Sequence, residues 1–242
     1  MKPVFKVMGD SAIQIEFGQE IAPIVNARIT AFVGLIKRQK IEGIIDMIPA
    51  FCTLLINYDP RIIGHKELLS RLDELTKLDV QIQKTPSRVF EIPVLYGGED
   101  GPDLENVAKL AGLTNAEVID IHSGCDYLIY MLGFMPGFPY LGGLDERIHT
   151  PRLTEPRLKI PSGSVGIGGA QTGIYPLESP GGWQLLGRTP VKTYDPNREV
   201  PILFDAGDYI RFVPVTEEEY QMIGDLVLKN EYECVVRAKE LS

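Results

Sequence analysis

Residues Gly133 to Pro190 read GFMPGFPYLGGLDERIHTPRLTEPRLKIPSGSVGIGGAQTGIYPLESPGGWQLLGRTP, and the rest of the chain is best understood from this stretch outward. Twelve of the 24 glycines and eight of the 18 prolines fall in it, so backbone conformation is specified more tightly here than elsewhere. Glycine permits positive φ and close backbone approach, whereas proline fixes φ and removes a donor. Flexible linkers share that composition but lack large side chains. Here Phe134, Phe138, Tyr140, Ile167, Tyr175, Trp183 and Leu185 are interleaved with the turns, and each can bury surface. From Pro161 to Gly187 the one charged residue is Glu178. The pattern predicts an ordered, loop-rich, uncharged wall that faces a pocket or a partner.

On either side the chain is ordinary. Its 242 residues suffice for one large or two small domains with a real core. The net charge of −9 argues against a nucleic-acid face, which needs a cationic footprint. No apolar run approaches the ~18 residues of a membrane span. The opening MKPVFKVMGDSAIQIEF alternates like a strand and has no signal-peptide core. Cys52, Cys125 and Cys234 are odd in number and far apart, so no disulfide framework is expected. These features predict a soluble cytoplasmic protein.

Before the wall, residues 4–8 and 11–17 flank Gly9-Asp10 as a hairpin. A helix from Glu20 to Gln39 carries Ile21, Ile24, Val25, Ile29, Phe32, Val33 and Ile36, and two strands follow near 43–48 and 51–58. A second helix, Gly64 to Leu78, completes a β-β-α-β-β-α order, which suits a two-layer α+β domain over 1–84. Turn formers at Lys84-Thr85-Pro86-Ser87 mark the boundary, and a mainly-β domain is expected over 88–242. That domain opens with the strand-like RVFEIPVLYGG and two short helices, the second with a Thr114–Glu117 capping box. The run Tyr127–Leu132 then reads as a core strand. Short strands at 163–168, 173–177, 183–187, 191–194, 201–204 and 208–215 imply a sandwich or barrel. A helix opened by Thr216–Glu219 and a charged, peripheral tail close the chain.

Familiar nucleotide motifs fail on context. Gly182 to Thr189 has phosphate-loop spacing with Arg188 in place of lysine, but Pro190 and the strand-like Trp183–Leu186 preclude the helix that motif requires. Gly166 to Gln171 misses the third glycine of the dinucleotide fingerprint. The Gly168–Gly173 segment instead offers backbone amides, the Gln171 amide and the Thr172 hydroxyl to a polar ligand, or else is a structural turn. Arg147, Arg152, Arg157, Lys159 and Arg188 bracket the uncharged segment and supply candidate anion contacts. Trp183 is either a pocket floor or core. His122 ends a helix just before the wall and is either a general acid–base group or a capping histidine. With only His149 near it and Cys125, no metal site is visible.

The run Tyr130–Leu144, the pairs Pro151-Arg152 and Pro156-Arg157, and the runs Ile160–Pro176 and Ser179–Pro190 closely resemble the B component of the 5-oxoprolinase family. That family is also called allophanate hydrolase subunit 1 and the Kip-type inhibitor of a sporulation sensor kinase. GDSAIQIEFG and AGDYIRFVPV fit as well, so the likeness spans nearly the whole chain. The resemblance implies a C-terminal cyclophilin-like β-barrel, a partner C component built on a related barrel, and a third, A component. Together these convert 5-oxoproline to glutamate with ATP: the B and C components activate the lactam, by phosphorylation, and the A component opens the ring. ATP, with Mg, would be shared with the partner. In that setting Arg152, Arg157 and Arg188 are expected to supply cations, and Gln171, Thr172 and the Gly168 and Gly169 amides to supply donors. Phe134, Phe138 and Trp183 are expected to exclude water, with Tyr175 also lining the substrate. Related domains in urea carboxylases form a carboxyltransfer site between two barrels, but carboxyl transfer by this chain alone is not expected. The resemblance also implies an alternative, inhibition of a sensor histidine kinase by protein binding. Prolyl isomerisation is not implied, because a fold does not carry a function.

Overall fold

A computed structural model describes residues 3–78 and 87–239, in two compact units, Met1–Thr85 and Pro86–Ser242. The boundary residues Lys84–Pro86 lie outside the described residues.

The first unit contains β1 (Val4–Met8), β2 (Ala12–Glu16), α1 (Pro23–Gln39), β3 (Ile44–Pro49), β4 (Thr53–Tyr58) and α2 (His65–Lys77). Its antiparallel sheet has the order β1-β2-β4-β3. Alternate residues Ile13, Ile15, Leu54 and Ile56 form one core with Ile29, Phe32 and Ile36 of α1 and Leu68, Leu72 and Leu75 of α2. Burial of each such side chain contributes about 1.5–3 kcal/mol. Helix α1 starts three residues later than the apolar spacing predicts. Pro23 suits the first turn, where its missing N–H costs nothing, and Ile21 and Ile24 remain exposed.

The second unit contains β5 (Arg88–Tyr96), α3 (Leu104–Ala111), α4 (Asn115–Ser123), β6 (Tyr127–Leu132), β7 (Pro139–Gly142), β8 (Arg157–Ile160), β9 (Ser164–Gly168), β10 (Gln171–Ile174), β11 (Ser179–Gly181), β12 (Gln184–Arg188), β13 (Tyr209–Pro214), α5 (Glu217–Leu228) and β14 (Val235–Ala238). The large sheet runs β12-β9-β10-β7-β6-β13-β5, and pairing of β12 with β5 closes it into a seven-stranded barrel. Closure rests on Gly187 opposite Tyr96 and Arg188 opposite Leu95. A β-carbon at Gly187 would overlap the Leu95 carbonyl, so glycine is required where the ends meet. β13 runs parallel to β5 along Val89–Val94. The interior is packed by Ile92, Val94, Ile129, Leu141, Val165, Ile167, Ile174, Leu186, Ile210 and Phe212, with Leu104, Val107 and Val118 from α3 and α4.

Three readings change. Segments 191–194 and 201–204 meet only in a Tyr194–Ile202 bridge. The Asp195 carboxylate accepts from the Asn197 N–H at 3.0 Å, which commits the chain to a turn rather than a ladder. The charged tail instead supplies β14, paired with β5 along Arg88–Glu91. It is held by Asp126, which pairs with Arg237 (2.7 Å), Lys239 (2.6 Å) and Arg211 of β13 (2.7 Å). Finally, β8 and β11 form a separate two-stranded ribbon that the turn-rich sequence conceals. Among the described residues no helix is long and apolar enough to cross a membrane.

Candidate functional site

The strands that fill the barrel with their inward side chains carry a second cluster on the opposite face. Phe138, Ile160, Tyr175, Trp183 and Leu185 pack there with Met135 and Tyr140. Phe138 is its hub, with ring centroids 5.1 Å from Tyr140, 5.4 Å from Tyr175, and 5.6 Å from both Trp183 and Phe134. Tilted and edge-on geometries at these distances are the favourable ones for aromatic pairs. The cluster exists because the strand positions beneath it are glycine. A β-carbon at Gly168 would overlap the Trp183 indole nitrogen, and Gly173 lies under Trp183 and Phe138. Bare backbone is thus covered by rings, which accounts for the Gly/aromatic interleaving of the sequence.

Arg152 lies above this wall with its Cζ 6.0 Å from the Trp183 ring, within range of a cation–π contact. Its backbone is clamped on both sides. The Pro151 carbonyl accepts from the Gln184 amide at 3.0 Å, and the Leu153 N–H donates to the Gly182 carbonyl at 2.7 Å. Gln184 is itself buried and accepts from Asn106 of α3 at 3.0 Å. Burial pushes the Tyr140 and Tyr175 phenols up, and the Arg152 charge pulls both back. Arg152 forms no ion pair among the described residues.

The other cations of the region are engaged. Arg147 pairs with Asp145 (2.8 Å) and Lys159 with Glu178 (2.9 Å). Arg157 pairs with Asp103 at 2.8 Å, while the second Asp103 oxygen accepts from the Leu185 N–H at 2.6 Å. Arg157 is therefore a strut from β8 to the start of α3, and Asp103 ties that start in turn to β12. Arg188 donates to the Ser162 carbonyl at 2.8 Å and faces Asp100 at 3.5 Å. It sits at the far end of β12 from Trp183, roughly 16 Å away at ~3.3 Å per residue.

Gln171 is half-buried on the same strand face as Gly173 and Tyr175, in register with Gly168. Gly169 is spent on structure: its N–H donates to the Thr150 carbonyl at 2.7 Å and its carbonyl accepts from the Thr150 N–H at 3.3 Å. Gly168 is covered by Trp183. Thr172 points the other way, fully buried inside the barrel. There it meets His122 in a fully satisfied chain. The Thr172 hydroxyl donates its one proton to the Gly166 carbonyl at 3.0 Å, so it accepts from His122 Nε2–H at 2.8 Å. His122 Nδ1 then accepts from the Tyr96 hydroxyl at 2.7 Å. His122 is wholly buried and stacked 4.6 Å from Phe212, and burial drives its pKa down to about 3. A proton-transfer role does not fit that position: His122 is a neutral core residue, and Thr172 belongs with it rather than with a ligand.

The structure thus brings together Phe134, Phe138, Gly168, Gln171, Tyr175, Trp183 and Arg152, and separates Arg188, His122 and Thr172 from them. Trp183, Tyr175 and Phe138 are a packed wall, whereas Phe134, Arg152 and Gln171 remain accessible. Sequence reasoning missed the clamp Asn106–Gln184–Pro151, since a glutamine in an apolar strand carries no motif. It also missed Asp103 as the partner of Arg157. Among the described residues no group of three or more His, Cys, Asp or Glu is placed to hold a metal ion.

The family model of the carboxyltransferase domain, subdomain C and D, matches residues 3–204. The chain is 47% identical over 227 residues to the 5-oxoprolinase B component of Bacillus subtilis (strain 168), spanning 88% of this chain and 93% of that protein. It is 41% identical over 216 residues to the 5-oxoprolinase B component of Escherichia coli O157:H7, spanning 87% and 95%. The crystal structure of Kluyveromyces lactis urea carboxylase shares the fold with a TM-score of 0.82 at 24% identity, over 98% of this chain and 24% of that one.

Proposed function

The chain belongs to the family of 5-oxoprolinase B components, and on that premise we propose that it is the B component of an ATP-dependent 5-oxoprolinase. In this reading it acts with a C component built on a related, cyclophilin-like barrel to activate 5-oxoproline, and the A component opens the ring to L-glutamate. The segments 1–84 and 88–242 act as separate domains, the second carrying the site.

The observation that carries the reading at the level of residues is the exposed Arg152 guanidinium, without an ion pair among the described residues, over an uncharged aromatic wall. A small cyclic amide with one carboxylate suits it: the carboxylate on Arg152, the amide near Gln171, the ring against the aromatics. An amide is a poor electrophile, and ATP supplies a phosphoryl group that turns its oxygen into a leaving group. One guanidinium suffices for a carboxylate but not for a triphosphate. With Arg157 and Arg188 engaged by Asp103 and Asp100, the nucleotide phosphates and their Mg are assigned mainly to the partner. The chain's own part is to bind and orient the lactam and to exclude water around it.

Purified chain plus its companion barrel protein is expected to show 5-oxoproline-dependent ATP turnover. Arg152→Ala should lower it at least roughly tenfold, the loss of one charge-assisted contact. Unchanged turnover would remove Arg152 and the aromatic face from the reaction. Affinity capture that retrieves a kinase dimerisation domain, and no barrel-containing partner, would favour the inhibitor role instead.

A further inference from the structure

We propose that Phe134 determines specificity at this face, closing its ring over the hydrocarbon part of the bound lactam; the proposal rests on the reading above. Phe134 occupies the tip of the β6–β7 hairpin at φ 61, a conformation that side-chain-bearing residues rarely adopt. The Met135 N–H reaches back to the Gly133 carbonyl at 2.6 Å, so the residue sits at the centre of a γ-turn of the strained, positive-φ kind. The remainder of the tip is fixed. The Phe138 N–H donates to the Met135 carbonyl at 3.1 Å around Pro136 and Gly137, the latter at φ 78, as a type II turn requires. A β-carbon at Gly137 would press on Tyr194 at 2.8 Å, so that turn is seated against its neighbour. Strain is therefore confined to one peptide, at Gly133–Phe134.

Such strain persists only where something else in the structure offsets its cost. Here Phe134 is 67% exposed, and its ring touches the hub residue Phe138 edge-on. Leu132, Met135, Pro136 and Ile202 line a surface groove of about 300 Å³ beside it, and no residue from Leu132 to Leu144 is charged. The offset lies in a second state. Release of the Gly133–Met135 hydrogen bond takes Phe134 to negative φ and frees its ring to cover a ligand held by Arg152 beside Trp183. Arg152 reads the carboxylate and Phe134 the ring. A carboxylate without a hydrocarbon ring gains nothing from the closure.

Trp183 is the chain's one tryptophan, so its emission reports this face alone. The full chain, with Phe134→Gly and Phe134→Leu variants, would be titrated with 5-oxoproline and, separately, with acetate. Phe134→Gly is expected to weaken 5-oxoproline binding roughly tenfold, as loss of one apolar ring contact implies. Phe134→Leu should restore most of it, and acetate binding should not change. Equal 5-oxoproline affinity in the parent and Phe134→Gly proteins overturns the proposal and leaves the site standing. Parallel loss of acetate binding overturns it too, because the ring would then be acting on the fold. No response of Trp183 to 5-oxoproline in the parent protein overturns the site reading and the proposal with it.

Discussion

At Arg152 one substitution separates chemistry from fold, because the side chain is exposed and its backbone is held by groups other than its own guanidinium. Arg152→Gln is expected to leave the unfolding midpoint nearly unchanged, within the ~0.5 kcal/mol usual for surface changes, while abolishing any anion effect on Trp183 emission. His122 behaves in the opposite way. Its folded pKa of about 3 lies below the ~6.5 of an unfolded histidine, so between those values the unfolded chain binds the proton and the native chain does not. Its contribution is intact above pH ~6.5 and is lost as pH falls toward 3. Urea unfolding should show a lower midpoint at pH 4.5 than at pH 7. A His122→Asn protein, weaker at neutral pH, should lose less between the two. The aromatic anchors Phe138, Tyr175 and Trp183 were legible in the sequence because large rings among glycines must cover something. The opposite orientations of Gln171 and Thr172 were not. Glycine at 166, 168 and 173 erases the apolar alternation that would have revealed which side of the strand faces inward.

Elements with strong local signals formed where the sequence placed them. The Thr114–Glu117 and Thr216–Glu219 capping boxes both form, and Tyr127–Leu132 is a strand. Elements defined by distant partners were hidden. β8 and β11 are four and three residues long and pair only with each other, and β14 is a short apolar run between charges whose partner strand begins at residue 88. Asp126 organises that last pairing, and its side chain is only 6% exposed. Asp126→Ala leaves Arg211, Arg237 and Lys239 without their shared acceptor. It should cost about 1–3 kcal/mol, a range that allows for partial solvent screening of the cations. Amide exchange in 235–238 should accelerate more than in β9. Gly168→Ala tests the other face: the added methyl meets the Trp183 indole, and a loss of about 1–3 kcal/mol should accompany a changed Trp183 emission spectrum.

For the whole molecule, the acidic composition argued against a nucleic-acid face, and the count of short strands pointed to a barrel or sandwich; the closed barrel settles the second choice. Which strand closes on which was beyond reach, because register across such separations leaves no periodic trace in the sequence. Co-purification of the chain with its companion barrel protein, and recovery of both in one peak by size exclusion, is the expected outcome at the level of assembly. The order of the barrel strands also governs how the protein can be made. The first barrel strand, β5, takes as its parallel neighbour β13, near the far end of the unit, with Val89 against Tyr209. On a ribosome, β5 must therefore emerge and wait, both edges bare, until its partners β12, β13 and β14 have been translated. The N-terminal unit has no such dependence and can finish early. A chain cut before residue 209 should keep a folded N-terminal unit and expose an adhesive strand, so the truncated protein is expected to aggregate where the full chain stays dispersed.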